Sequence, residues 1–166
     1  MIRILVSACL LGEKVRYNGS DAVSSSPVLT RWLDEGRVVP FCPELAGGLG
    51  VPRPAAEIMG TNGAAVLDGD ARVNTQAGAD VTGRFLQGAS LALATAQSQG
   101  VLVAVLKDGS PSCASESIHD GTFSGRRKSG HGVTTALLER HGIRVFSERC
   151  FEEAAAHLNL LEREGA

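Results

Sequence analysis

Four cysteines, Cys9, Cys42, Cys113 and Cys150, are the residues of this chain most able to do chemistry. Cys113 stands in "KDGSPSCASES", a Gly-, Pro- and Ser-rich stretch that follows the apolar run "VLVAVL". A thiol in such a turn is out of place as a core residue. Thiolates are soft ligands that select zinc, copper(I) or an iron–sulfur cluster. No pair has the close CxxC spacing of a zinc knuckle or a redox dithiol. Spacing alone therefore leaves two readings open, small buried hydrophobes or ligands. The elements that carry the cysteines must decide between them.

Short apolar runs rich in branched residues predict buried strands at Ile2–Ala8, Arg37–Phe41, Val101–Leu106 and Ile143–Ser147. Between the first two, Ser26 and Pro27 predict a helix start, Val28, Leu29, Trp32 and Leu33 its apolar stripe, and Gly36 its stop. Asp80 is expected to cap a long helix with Val81, Phe85, Ala89, Ala92 and Ala96 on one face. A further helix runs from Val133 to Arg140, and Ser147 is expected to cap a terminal one bearing Phe151, Ala154, Leu158 and Leu161. The stretch "CPELAGGLGVPRPAAEIMGTNGAA" reads as a long loop, and "VLDGDARVN" as a small hairpin around Asp68-Gly69. This alternation predicts an α/β fold: one domain over residues 1–166, a Rossmann-like open sheet, largely parallel, with helices on both faces.

On that scaffold Cys9, Cys42 and Cys113 each follow a different strand. Open parallel sheets bind ligands at the carboxyl ends of their strands, so three thiols are expected on one rim. Cys150, beside Phe151, reads as a packing residue. No fourth ligand is evident. His119 and His131 lie in the loop region near the rim, His141 reads as a helix C-terminal cap, and His157 as solvent-facing. Three thiolates without a fourth ligand leave one metal position open, as catalysis requires.

Composition excludes several classes. The chain has 166 residues, 43% hydrophobic and 20% charged, with net charge −2. No basic excess suggests polymeric nucleic acid or a membrane surface. Aromatics are only 4%, too few for a single-strand stacking platform. No run reaches membrane-spanning length. The apolar start "MIRILVSACLLG" reads as a strand rather than a signal peptide, and a cytoplasmic location is expected. The motifs "GGLG" and "SGHG" lack the Lys and Ser of a phosphate-binding loop.

The blocks "SACLLGEKVRYNG", "CPELAGGLGVPRPAAEI", "KDGSPSCASESIHDGTF" and "GHGVTTALLERHGIRVFSE" together resemble the bacterial 2-thiouracil desulfidase family, from Ile2 to about Glu148. One departure is Ala114, where many relatives have glycine. The resemblance implies a 4Fe-4S cluster on Cys9, Cys42 and Cys113 whose open iron binds the substrate sulfur. It implies non-redox desulfuration of thiolated nucleobases: 2-thiouracil and water to uracil and sulfide. It also implies Glu44 as the base that takes a proton from water, and Ser110 as its assistant. Ser112 and Arg53 are candidates for substrate contact. Ser110 and Ser112 also read as turn formers, and Arg53 with Glu57 as a salt bridge pinning the loop. Two other classes stay open on residue types. One is a metal- or sulfide-binding module without turnover; the other is a cysteine-nucleophile hydrolase using Cys113 and a histidine.

Overall fold

The computed structural model describes residues 1–165. Its centre is a four-stranded parallel sheet formed by β1 (Ile4–Ser7), β2 (Val38–Phe41), β5 (Val103–Leu106) and β8 (Arg144–Ser147), in the order β2-β1-β5-β8. All four residues of β1 and of β5 are buried, which is why these two apolar runs occupy the middle. Alternation along the strands divides the core. Ile4, Val6, Val103 and Val105 meet one set of helices, α1 (Pro27–Asp34) and α6 (Phe151–Arg163). Leu5, Ala104 and Leu106 face the other side, with Ala96 of α4 (Thr82–Ser98) and Leu138 of α5 (Val133–Arg140). The expected α/β architecture, parallel sheet and two-sided helix cover are all present.

The chain leaves β1 toward β2 on one side and later enters β5 on the other. The order thus reverses beside β1, and a crevice opens at the carboxyl ends there, the usual ligand position of such sheets.

The long "CPELAGG…" stretch is more structured than a loop. It holds α2 (Pro43–Ala46), β3 (Ala56–Met59) and α3 (Gly63–Leu67). The hairpin expected around Asp68-Gly69 does not form. Instead β3 pairs antiparallel with β4 (Arg72–Thr75), with α3 spanning the connection. A second ribbon joins β6 (Ser117–His119) to β7 (Arg127–Ser129). These small elements enclose a third apolar cluster with Phe85, Ala89 and Val133. They form a layer over one flank of the crevice.

Some local expectations shift. Leu33 is 49% exposed, so the α1 stripe is Val28, Leu29 and Trp32. Ser26 holds the N-cap position of α1 without a side-chain bond, and at α4 the N-cap is Val81 rather than Asp80, whose carboxylate, one residue earlier, accepts the Thr82 N–H at 2.9 Å. At the terminal helix the N-cap is Cys150; the Ser147 hydroxyl reaches no helical N–H, accepting from Arg149 N at 3.2 Å and donating to Cys150 Sγ at 3.7 Å. Among the described residues no helix is long and apolar enough to cross a membrane.

Candidate active site

At the carboxyl ends of β1, β2 and β5 lies a cavity of about 510 Å³, and Cys9, Cys42 and Cys113 all line it. Cys9 rides a 3-10 turn (Ala8–Leu11) that continues β1, and Gly12, at φ 94°, ends that turn. Cys42 is the extended residue between β2 and α2, followed by Pro43, whose fixed φ starts the helix. Cys113 sits in the turn after β5, and its N–H is received by Ser110 Oγ at 3.1 Å. Cys150, half-buried at the start of α6, lies outside the cavity lining.

All four cysteines are free thiols. Burial pushes the Cys9 thiol up to about 11, with the neighbouring Cys42 adding to the rise. Burial also raises Cys42, and Glu44 reinforces it. Cys113 is raised well above the ordinary thiol value by burial, then by Glu44, Cys42 and Cys9. The thiols therefore share one electrostatic neighbourhood in which negative charge accumulates if they ionise. A cationic occupant would reverse that penalty. Among the described residues, no three His, Cys, Asp or Glu side chains gather tightly enough to hold a single metal ion. The thiols ring a space rather than a point.

Glu44, in the first turn of α2, extends along the same wall. Ser110 Oγ donates to Glu44 Oε2 at 3.0 Å, and Arg53 Nε approaches Glu44 Oε1 at 3.3 Å. The Ser110 oxygen also accepts from Ser112 N at 2.9 Å. Its one proton is thereby committed to the carboxylate, while its lone pairs hold the Cys113 turn. Arg53 lines the cavity, but its Nη1 donates to Gly50 O and its Nη2 to Val15 O, both at 3.0 Å. The salt bridge anticipated between Arg53 and Glu57 is thus replaced by one to Glu44. Ser112, expected near substrate, is buried and lies off the cavity wall; its hydroxyl meets Thr134 Oγ1 at 2.7 Å. Packing between the cysteine turn and α5 turns it away.

His119 lines the cavity, and its Nδ1 is buried without a hydrogen-bond partner. His131 is exposed and away from the lining. His141 caps α5 as expected, its Nδ1 lying 3.0 Å from Leu137 O. His157 is half-buried beside Phe146, with ring centroids 6.0 Å apart, rather than free in solvent.

Sequence reasoning missed Asp108, which is 3% exposed and anchors the chain after Cys113. Its Oδ1 accepts the N–H groups of Ser115, Glu116 and Ser117 at 3.1–3.2 Å, and its Oδ2 receives Arg149 at 2.8 Å. Burial pushes this carboxyl up, but the bonds from Ser117, Arg149 and Glu116 together outweigh burial and bring it down to about 2. Lys107, also on the wall, pairs with Glu148 at 2.8 Å and places a cation near Cys9. The signal was present in "KDGS" at the end of the strand, where an Asp reads simply as a turn former.

Two glycines bring the helix layer close to the thiol turns. A Cβ at Gly88 of α4 would overlap the Pro43 carbonyl, and one at Gly132 would overlap the backbone of Ser112. The turns carrying Cys42 and Cys113 therefore rest directly on the backbone of α4 and on the start of α5.

Known proteins resemble this chain in sequence and in fold. The sequence profile of the 2-thiouracil desulfurase family covers residues 4–150. The uncharacterized protein YbbK of Bacillus subtilis is 48% identical over 145 residues, 87% of this chain and 95% of that one. A solved structure of TudS, a [4Fe-4S]-dependent thiouracil desulfidase, is 48% identical. It superposes with a TM-score of 0.89 over 96% of this chain and 99% of that one.

Proposed function

Because the chain belongs to the 2-thiouracil desulfurase family, we propose that it is a desulfidase converting 2-thiouracil and water to uracil and sulfide. The observation that carries this reading is the meeting of Cys9, Cys42 and Cys113 in one cavity with Glu44 and Ser110. The donor set fits a 4Fe-4S cluster: three free thiols, soft in character, ring a space and suffer from one another's charge in its absence. Cys9, Cys42 and Cys113 would hold the cluster, and when bound it supplies a thiophilic Lewis acid with one position free of protein ligands.

The chain's own residues supply the rest. Glu44 accepts one proton of the attacking water and returns it to the departing sulfur, and the second proton leaves the oxygen as the carbonyl forms, so that the products are uracil and hydrogen sulfide. The carbon–sulfur bond breaks, a carbon–oxygen bond forms, and no electrons are gained or lost overall. Ser110 and Arg53 fix the Glu44 carboxylate by one bond to each oxygen. On this reading Arg53 aims the base rather than touching substrate, and Ser112 supports the Cys113 turn. Asp108 holds the far end of the same turn. The cavity walls include Phe41, Ala55, Ala56 and Pro111, apolar surface suited to a small planar ring.

The substrate class is thus a free thiolated nucleobase rather than polymeric nucleic acid, and residues 1–166 act as one domain. Free thiols fit a reducing, cytoplasmic setting. The cysteine-hydrolase reading is the weaker one, since burial raises the Cys113 thiol where an activated nucleophile needs it lowered. The test is anaerobic reconstitution with iron and sulfide, followed by chromatographic assay of 2-thiouracil. Uracil and sulfide released in equal amounts would support the proposal. Cluster-loaded protein that leaves thiouracil intact would overturn it and favour a binding module without turnover.

A further inference from the structure

Phe123 is the only non-glycine residue at positive φ, 55°, among the described residues. A bulky side chain stays in that region only where its surroundings over-determine it, and such residues cluster at functional sites. The surroundings here are specific. Glu57 of β3 is 7% exposed, and its Oε1 accepts the N–H of Gly121 at 2.9 Å and that of Phe123 at 3.2 Å. Gly121, at φ 94°, lets the loop approach β3: a Cβ there would stand 2.9 Å from Ile58 O. A buried carboxylate and a close backbone approach thus hold one aromatic residue in a strained pose. Both Glu57 and Phe123 line the cavity that holds the three thiols.

We infer that Phe123 is the stacking surface for the planar ring of the substrate, hence a specificity-determining residue, and that Glu57 is the positioning residue that presents it. A nucleobase needs its polar edges free for hydrogen bonds and its faces covered by apolar surface, which an aromatic side chain supplies. The other aromatic residues on the wall are differently placed. Phe41 packs into the core beneath the sheet, and Tyr17 is 44% exposed, with no bond from its side chain. The loop between β6 and β7 therefore serves the ring, while the cysteine and Glu44 turns serve the reacting carbon. This inference rests on the thiouracil reading.

The test uses cluster-loaded protein with Phe123→Gly, Phe123→Trp and Glu57→Ala. Glycine suits a positive φ, so Phe123→Gly folds with its melting temperature held or raised. It nonetheless raises KM for 2-thiouracil and weakens uracil binding, each on the order of 10- to 100-fold, as expected when base stacking is lost. Its kcat and cluster absorption stay close to wild type. Phe123→Trp retains binding, and Glu57→Ala reproduces the KM effect with the cluster intact. If the wild type turns over thiouracil and Phe123→Gly keeps its KM, the inference is overturned and the desulfidase reading stands. If the cluster-loaded wild type neither turns over thiouracil nor binds uracil, both are overturned.

Discussion

Ser110 Oγ lies 3.0 Å from Glu44 Oε2, joining two residues 66 positions apart through the hydroxyl's single proton. The same oxygen receives the N–H of Cys113 at 3.1 Å. The Glu44 carboxylate and the Cys113 turn are therefore set by one side chain, and disturbance of either reaches the other.

Glu44→Gln should keep the shape of this contact while removing the proton acceptor. We expect iron content to remain near wild type and kcat to fall on the order of 10²- to 10⁴-fold, the usual range for a general base. Ser110→Ala should show a mixed defect. It loses catalytic rate and, by leaving the N–H of Ser112 and Cys113 without their acceptor, about 1–3 kcal/mol of stability. Steady-state kinetics beside chemical denaturation separates the two effects. A Glu44→Gln protein as active as wild type contradicts the assignment.

The four cysteines should divide three to one. Cys9→Ser, Cys42→Ser and Cys113→Ser should each lose most of their iron on anaerobic reconstitution, with activity at background. Cys150→Ser, outside the cavity, should match wild type in both. Iron assays and the visible absorption of each variant check this. Iron loss in Cys150→Ser alone would reverse the ligand assignment.

Gly88 and Gly83 provide a matched pair on α4. A Cβ at Gly88 would overlap the Pro43 carbonyl, between Cys42 and Glu44, whereas Gly83 faces open space. Gly83→Ala should stabilise the protein by about 0.5–1 kcal/mol with full activity, as alanine is the better helix former. Gly88→Ala should cut kcat/KM on the order of 10²-fold, as displacement of reacting groups by about 1 Å does. Equal activity in the two variants would show that the Cys42–Glu44 turn tolerates displacement.

Asp108 gives the fold a defined acid sensitivity. Its folded carboxyl lies at about 2, below the ordinary value of 3.8. A depressed carboxyl contributes stability above its unfolded value and loses it as pH falls toward the folded one. Urea unfolding of metal-free protein should weaken between about pH 4 and pH 2, with Asp108 supplying on the order of 2 kcal/mol. Asp108→Asn should be less stable by that amount at pH 7 and flatter across the window. An identical pH profile in wild type and variant would refute the role.

The central architecture was legible because its signals are local. "ILVS" and "VAVL" are buried on both faces, so apolar content alone marks them as central strands. Cys9, Cys42 and Cys113 then fell on one edge by counting from strand ends. The peripheral layer was opaque for the opposite reason. β3 and β4 are four residues each, and their pairing is fixed by packing on Phe85 and Val133 rather than by an adjoining turn. The reach of Arg53 to Glu44 and of Glu57 to the Phe123 loop depends on that layer, so neither could be read from spacing. Ser112 misled because its neighbours Ser110 and Cys113 face the cavity while its own hydroxyl points to Thr134.

The most direct test of the account is the iron and acid-labile sulfide content of wild-type protein reconstituted without oxygen. A cluster on the three thiols requires about four iron and about four sulfide per chain. Zinc without labile sulfide, or no bound metal, would contradict the claim that Cys9, Cys42 and Cys113 hold a cluster.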